Sequence, residues 1–212
     1  MDKAIILWVE RTSRTTAHRL AGGTAQLSTY FRIIRHALSH YITERIKPYF
    51  KIGGAVAIDE TLIGRQRWSY LGSFPVPKWA WGLIDLASRI PVIYHCQSKS
   101  HDDLVALIKR HVLPGAILYS DSHSSYVTLN QQNRSKLTQY GWYHYWICHM
   151  VRYVHEKFGF VHTSAIEMTW AHMKKCCQGM SHMEESESIN RYLNTFTFRQ
   201  IFRKECLHAM IL

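Results

Sequence analysis

Between Gly54 and Gln97 the chain carries three apolar runs, GAVAIDETLIG, KWAWGLIDLAS and RIPVIYHCQ, with no helical periodicity between them. β-Branched and aromatic residues are frequent in all three, and turn-rich GRQRWSYLGSFPVPK joins the first two. Such a succession predicts an antiparallel meander. The pattern then changes. From His101 to Val112, Leu104, Leu107, Ile108 and Val112 fall on one helical face, and Asp102 and Asp103 lie in the first turn, where the helix dipole favours them. Pro114-Gly115 ends that helix, AILYS reads as a short buried strand, and WYHYWIC reads as a fifth. Residues 163–178 and 185–208 predict two closing helices, interrupted near Gly179 and Ser181.

The expected order is therefore three strands, helix, strand, helix, strand, helix, with the fourth and fifth strands parallel. That is an α/β chain with a mixed five-stranded sheet flanked by helices, the order of an RNase-H-like fold. It is assigned to residues 52–212, with the boundary at KIGG, residues 51–54.

Residues 1–51 read as helical. Ser13 or Thr15 can cap a short helix, TTAHRLA, that Gly22-Gly23 would end; Thr24 can cap a second, with Leu27, Tyr30, Phe31, Ile34, Leu38, Tyr41 and Ile42 at helical spacing. Arg32, Arg35, His36 and Arg45 lie mostly off that stripe. Two readings fit: a helix-turn-helix that binds DNA, or a basic helical hairpin packed on the main domain.

Charge points to a polyanionic partner. The 212 residues hold 26 Lys and Arg against 15 acids, a net +11, and +6 of it lies in residues 1–53. Nucleic acid is the common partner of such a chain. No basic amphipathic helix of the lipid-binding kind is evident, and no apolar run approaches the roughly 20 residues of a membrane span. The apolar run near the start is only six residues long, too short for a signal peptide. The five cysteines form no CxxC pair. Reduced thiols and an intracellular location are expected, in the nucleus of a eukaryote or the cytoplasm and nucleoid of a bacterium.

With acids scarce, those in apolar settings carry information. Asp59 follows AVAI inside the first strand, where Asp is disfavoured, and Glu60 should point to the opposite face. Asp121 follows AILYS at the carboxyl end of a strand, where α/β sheets place ligands. Glu167 sits between Ile166 and Met168 on a helix, sharing a face with Trp170 and Lys174. Singly, each acid also fits an ordinary role: a strand end, an Asx-turn or cap, a solvated helix position. Together, three carboxylates from two strands and a helix can hold hard divalent cations, and a pair of such ions clamps the attacking and leaving oxygens of a phosphoryl displacement.

The segments IDETLIG, WAWGLIDLASR, HVLPGAILYSDSHSSY, HTSAIEMTWAHMKKCCQG and YLNTFTFR, over about residues 52–203, resemble the ISXO2-like (IS1595/IS1016, Merlin-type) DDE transposase domain. The resemblance implies an RNase-H-like core whose DDE triad is Asp59, Asp121 and Glu167, separated by 62 and 46 residues. It implies Mg²⁺ or Mn²⁺, two ions, as cofactor; DNA, both transposon ends and target, as substrate; and a homo-oligomer. Trp170, Lys174, Tyr126 and Arg199 match its motifs, with Lys174 as a phosphate contact or a support for Glu167. Such proteins often carry an amino-terminal zinc-binding segment, whereas no Cys precedes Cys96 here, so the chain is expected to begin inside or just before the helix-turn-helix.

The function expected is metal-dependent DNA cleavage and strand transfer. The alternatives are an inactive, transposase-derived DNA-binding protein and an RNase-H-like nuclease. Lys174, Trp170, Arg65, Arg67, Arg32 and Arg35 are the expected DNA contacts, with Trp68 and Lys78 beside Arg65 and Arg67. His149 and His162 are further candidates for DNA or metal contact, and Cys176-Cys177 reads as packing.

Overall fold

The computed structural model describes residues 2–10, 14–20, 26–66, 76–130, 133–147, 163–177, 180 and 185–202. Five strands form one sheet: β1 (Ala55–Gln66), β2 (Val76–Asp85), β3 (Pro91–Cys96), β4 (Ile117–Asp121) and β7 (Tyr143–Ile147), in the order β3-β2-β1-β4-β7. The meander is antiparallel, with Asp59 opposite Gly82 and Gly82 opposite Ile93. Beyond it the sheet turns parallel: β1 pairs β4 from Ala55 opposite Ile117 to Ala57 opposite Tyr119, and β4 pairs β7 from Ile117 opposite Tyr143 to Asp121 opposite Ile147. An antiparallel meander continued by two parallel strands is the RNase-H-like arrangement.

Strand alternation sorts the core into two layers. On one face Val56, Ile58, Trp81, Leu83 and Leu118 pack with Leu104, Val105 and Ile108 of α4 (His101–His111). On the other, Ala57, Ala80, Ile84, Ile93 and Tyr119 pack with Ile166, Trp170 and Met173 of α5 (Ser164–Cys176) and with Ile189, Leu193 and Phe196 of α6 (Ser186–Ile201). Ser100 caps α4 by accepting from the Asp103 backbone N–H, which satisfies one of the unpaired donors of the first turn.

One expected helix is absent among the described residues. Between the fourth and fifth strands of the sheet the chain forms a short hairpin, β5 (Val127–Thr128) with β6 (Arg134–Ser135), and a 3₁₀ turn at Thr138–Tyr140. The local residues explain it. Ser and Asn are frequent, Asn133 has φ 39 and Gly141 φ 85, conformations that stop a helix.

The amino-terminal residues fold as α1 (Asp2–Val9), α2 (Arg14–Leu20) and α3 (Gln26–Tyr41), the last continuing into a π-helical turn at Ile42–Ile46. The capping residues expected at Ser13 and Thr24, and the Gly22-Gly23 turn, lie outside the described residues. Leu7, Trp8, Ala17, Leu27, Phe31, Leu38 and Ile42 form a third apolar cluster with Phe198 of α6. Asn194 of α6 donates to the hydroxyls of Ser39 and Thr43 at 2.9 and 3.1 Å, and Arg199 donates to the Trp8 carbonyl at 2.8 Å while stacking 3.9 Å over its ring. The helices are thus seated on the last helix of the sheet domain through one shared core.

A carboxylate site at the middle of β1 and the carboxyl end of β4

The parallel register of β1 and β4 decides where the acids fall. Two residues beyond the Ala57–Tyr119 pair stand Asp59 and Asp121, at one level and on the face that α5 covers. Asp59 is held there by Trp170, whose indole Nε1 donates to Oδ2 at 2.8 Å. The Glu60 backbone N–H also bonds the carboxylate, and Asp121 accepts at Oδ1 from the His123 backbone N–H at 2.9 Å. Glu167 lies in the first turn of α5, one turn before Trp170, and accepts from the hydroxyl of buried Thr163 at 2.7 Å.

The electrostatics follow from this placement. Burial, chiefly, raises the Asp59 carboxyl to about 6; the Trp170 hydrogen bond opposes the rise, and the charges of Asp121 and Glu167 add to it. A half-buried acid repelled by two others is a poor anion by itself and a good partner for a cation. In its chemistry, all oxygen donors, the set suits a hard divalent ion such as Mg²⁺ or Mn²⁺. Among the described residues, no three His, Cys, Asp or Glu side chains stand close enough together to form a metal-binding group.

Glu60 points to the other face, as strand alternation requires. Its side chain is 4% exposed; Tyr126 donates its phenol to Oε1, Trp81 Nε1 donates to that phenol oxygen at 3.0 Å, and His123 Nδ1 lies 4.0 Å from Oε2. Burial pushes its carboxyl up to about 7, with Asp121 and Asp59 adding to the shift and Tyr126 opposing it. This buried network was not legible in the sequence, although an acid beside Asp59 with a Tyr five residues past Asp121 was its trace.

The other expected residues scatter. Lys174 is exposed on α5, and Arg32 is exposed on α3. Arg35 is half-buried with its guanidinium 4.8 Å over the Tyr192 ring of α6. Trp170, expected among the DNA contacts, is 4% exposed, and its indole N–H is donated to Asp59. Lys78 and Tyr126 are buried, and Arg199 serves the α1–α6 contact. Arg65 sits at the far end of β1, opposite Pro77. Arg67, Trp68, His149 and His162 lie outside the described residues.

Strand order and acid placement together define an RNase-H-like domain with carboxylates at the centre of the sheet. The model of the ISXO2-like transposase domain matches residues 87–200, more than half of the chain, and the protein belongs to that family. The match covers Asp121 and Glu167 and begins beyond Asp59. No curated protein matches the chain. Two solved structures are similar in shape. The HTLV-2 integrase catalytic core domain in complex with magnesium, in its dimeric form, has 13% identity and a TM-score of 0.39, over 70% of this chain and 88% of that one. The simian T-cell lymphotropic virus intasome in complex with PP2A regulatory subunit B56 gamma has 12% identity and a TM-score of 0.42, over 91% of this chain and 67% of that one. Among the described residues no helix is long and apolar enough to cross a membrane.

Proposed function

We propose that this protein is a DNA transposase that cuts DNA strands and joins a 3′-hydroxyl to target DNA, with Asp59, Asp121 and Glu167 as its metal-holding acids. The observation that carries the reading is the convergence of Asp59 and Asp121 at one level of the sheet, beneath the helix that bears Glu167. The three acids would hold two Mg²⁺ or Mn²⁺ ions, which when bound supply Lewis acidity for an in-line displacement at phosphorus.

The chain's own groups do the remaining work. Trp170 fixes the direction of the Asp59 carboxylate, and the His123 N–H fixes Asp121. Partial burial keeps bulk water from screening the charge of Asp59. The net charge of +11 favours a polyanion, with exposed Lys174 and Arg32 as backbone contacts and α2–α3 as the DNA-binding helices. The protein acts as a homo-oligomer on paired DNA ends, inside the cell.

A supercoiled plasmid carrying the element's ends tests this. With Mg²⁺ or Mn²⁺ the wild type nicks it and joins the new 3′-end to target DNA, and Asp121→Ala lowers the rate about 10³-fold, the effect of losing several kcal/mol of transition-state stabilisation. Equal nicking by both proteins leaves a DNA-binding protein without catalysis, and nicking without joining leaves a nuclease.

A further inference from the structure

The indole of Trp170 spans the gap between α5 and β1, and the strand beside β1 is shaped to let it pass. Gly82 pairs directly with Asp59 across β1 and β2. A Cβ at Gly82 would lie 3.3 Å from Trp170 Cζ2, a tight contact, and 2.5 Å from Cη2, closer than side-chain carbons sit against a buried ring. The missing side chain is therefore a slot. The six-membered part of the indole lies over Gly82, and Nε1 reaches Oδ2 of the acid opposite at 2.8 Å. The ring is 4% exposed and packed among Ala57, Ala80 and Ile166, so it has little freedom to leave.

Helix α5 also carries Glu167, one turn ahead of Trp170. An indole locked to β1 at one end and to α5 at the other fixes the helix relative to Asp59. The acids come from elements far apart in sequence, and Trp170 is 111 residues from Asp59. This hydrogen bond ties the Asp59 side chain to the helix that bears Glu167.

We infer that Trp170 is a positioning residue of the metal site, which, seated in the Gly82 slot, sets the orientation of Asp59 and holds α5 in register with it. The inference rests on the metal reading of the three acids. Partners of this kind, which orient a ligand without touching the metal, typically change metal affinity or activity by about 10- to 100-fold when removed.

Two variants separate its parts. Trp170→Phe keeps an aromatic ring in the slot and loses the N–H; Gly82→Ala closes the slot and displaces the ring. Mn²⁺ binding, followed by electron paramagnetic resonance of the full chain without DNA, is expected to weaken about 10-fold or more in each, and Asp59→Asn supplies the reference loss. Nuclear magnetic resonance provides an independent readout on the unaltered protein. The indole Nε1–H resonance of Trp170 is expected to shift on Mg²⁺ addition to the wild type and to stay in place in Asp59→Asn. Wild-type affinity in Trp170→Phe beside a loss in Asp59→Asn overturns the positioning role and leaves the metal reading standing. In a wild type shown to bind Mn²⁺, a Trp170 resonance unmoved by saturating Mg²⁺ does the same, whether or not the variants fold. Undiminished Mn²⁺ binding by Asp59→Asn overturns the metal reading and the positioning role with it.

Discussion

Asp59 and Glu60 are neighbours in sequence that β1 holds on opposite faces, each bound to a different aromatic residue, Trp170 for the first and Tyr126 for the second. The pair divides the labour of two acids at one strand position. Asp59 faces the other carboxylates, whereas Glu60 is sealed beneath the loop that follows Asp121.

Glu60 gives a pH-dependent signature. Its carboxyl lies at about 7 in the folded chain against an ordinary 4.5, because burial disfavours the charge. Folding therefore favours the protonated form. This contribution is complete below pH 4.5 and is lost as pH rises through 7. Glu60→Gln, which still accepts from Tyr126, is expected to match the wild type at pH 4.5 and to exceed it at pH 7.5 by ~2–3 kcal/mol. Urea unfolding in EDTA at the two pH values measures the difference. A constant difference across that range rules out the buried ionisation.

Lys47 makes the opposite case. Its amine donates to the Ile93 carbonyl at 2.8 Å and sits 3.7 Å over the Tyr94 ring. Burial, with Arg110 adding to it, lowers its pKa from 10.5 to about 7. The folded chain favours the neutral amine, so stability is full above pH 10.5 and is lost as pH falls through 7. Stability is expected to rise from pH 7 to pH 9.5 in the wild type and to stay flatter over that range in Lys47→Met, as measured by chemical unfolding.

Phe198 joins α6 to the amino-terminal helices in a core with Leu7, Trp8, Phe31 and Leu38. Phe198→Ala is expected to cost about 3–5 kcal/mol through the cavity it leaves. Because the helices share that core, the loss should appear as one weakened unfolding transition, seen alike by circular dichroism and by tryptophan fluorescence. An early separate transition at unchanged main-transition stability would contradict the shared core.

Lys174 is exposed one turn beyond Trp170 on the helix that carries Glu167. If it neutralises one DNA phosphate, Lys174→Ala weakens binding to all sequences alike. The slope of log affinity against log salt then falls by about 1. Fluorescence anisotropy with labelled duplex over a salt series reads this, and an unchanged slope removes Lys174 from the interface.

The parts legible in the sequence were those governed by local periodicity. Val56 and Ile58 alternate with smaller residues in β1, Leu104 and Ile108 repeat along α4, and the five strands of the sheet follow from such patterns. Asp59 and Asp121 could be named because acids stand out in apolar strands. What local pattern does not encode is partnership across the sheet. Nothing near Gly82 announces an indole from a helix 88 residues later, and a Trp that shares a helical face with Lys174 reads as a surface contact until the register is known. The hairpin at Val127–Ser135 was missed for a different reason, since apolar spacing there is compatible with a helix and only the turn chemistry of Asn133 and Gly141 decides against it.

The slot at Gly82 bears on how copies of such a gene decay. The glycine carries no chemistry, yet a single nucleotide change that adds one methyl group there sets a carbon 2.5 Å from the Trp170 ring, and something must shift. Under the proposed reading, a descendant that retains all three acidic codons can in this way lose the site. On that reading, an inventory of acids alone overcounts intact sites unless the glycine opposite the first acid is scored with them.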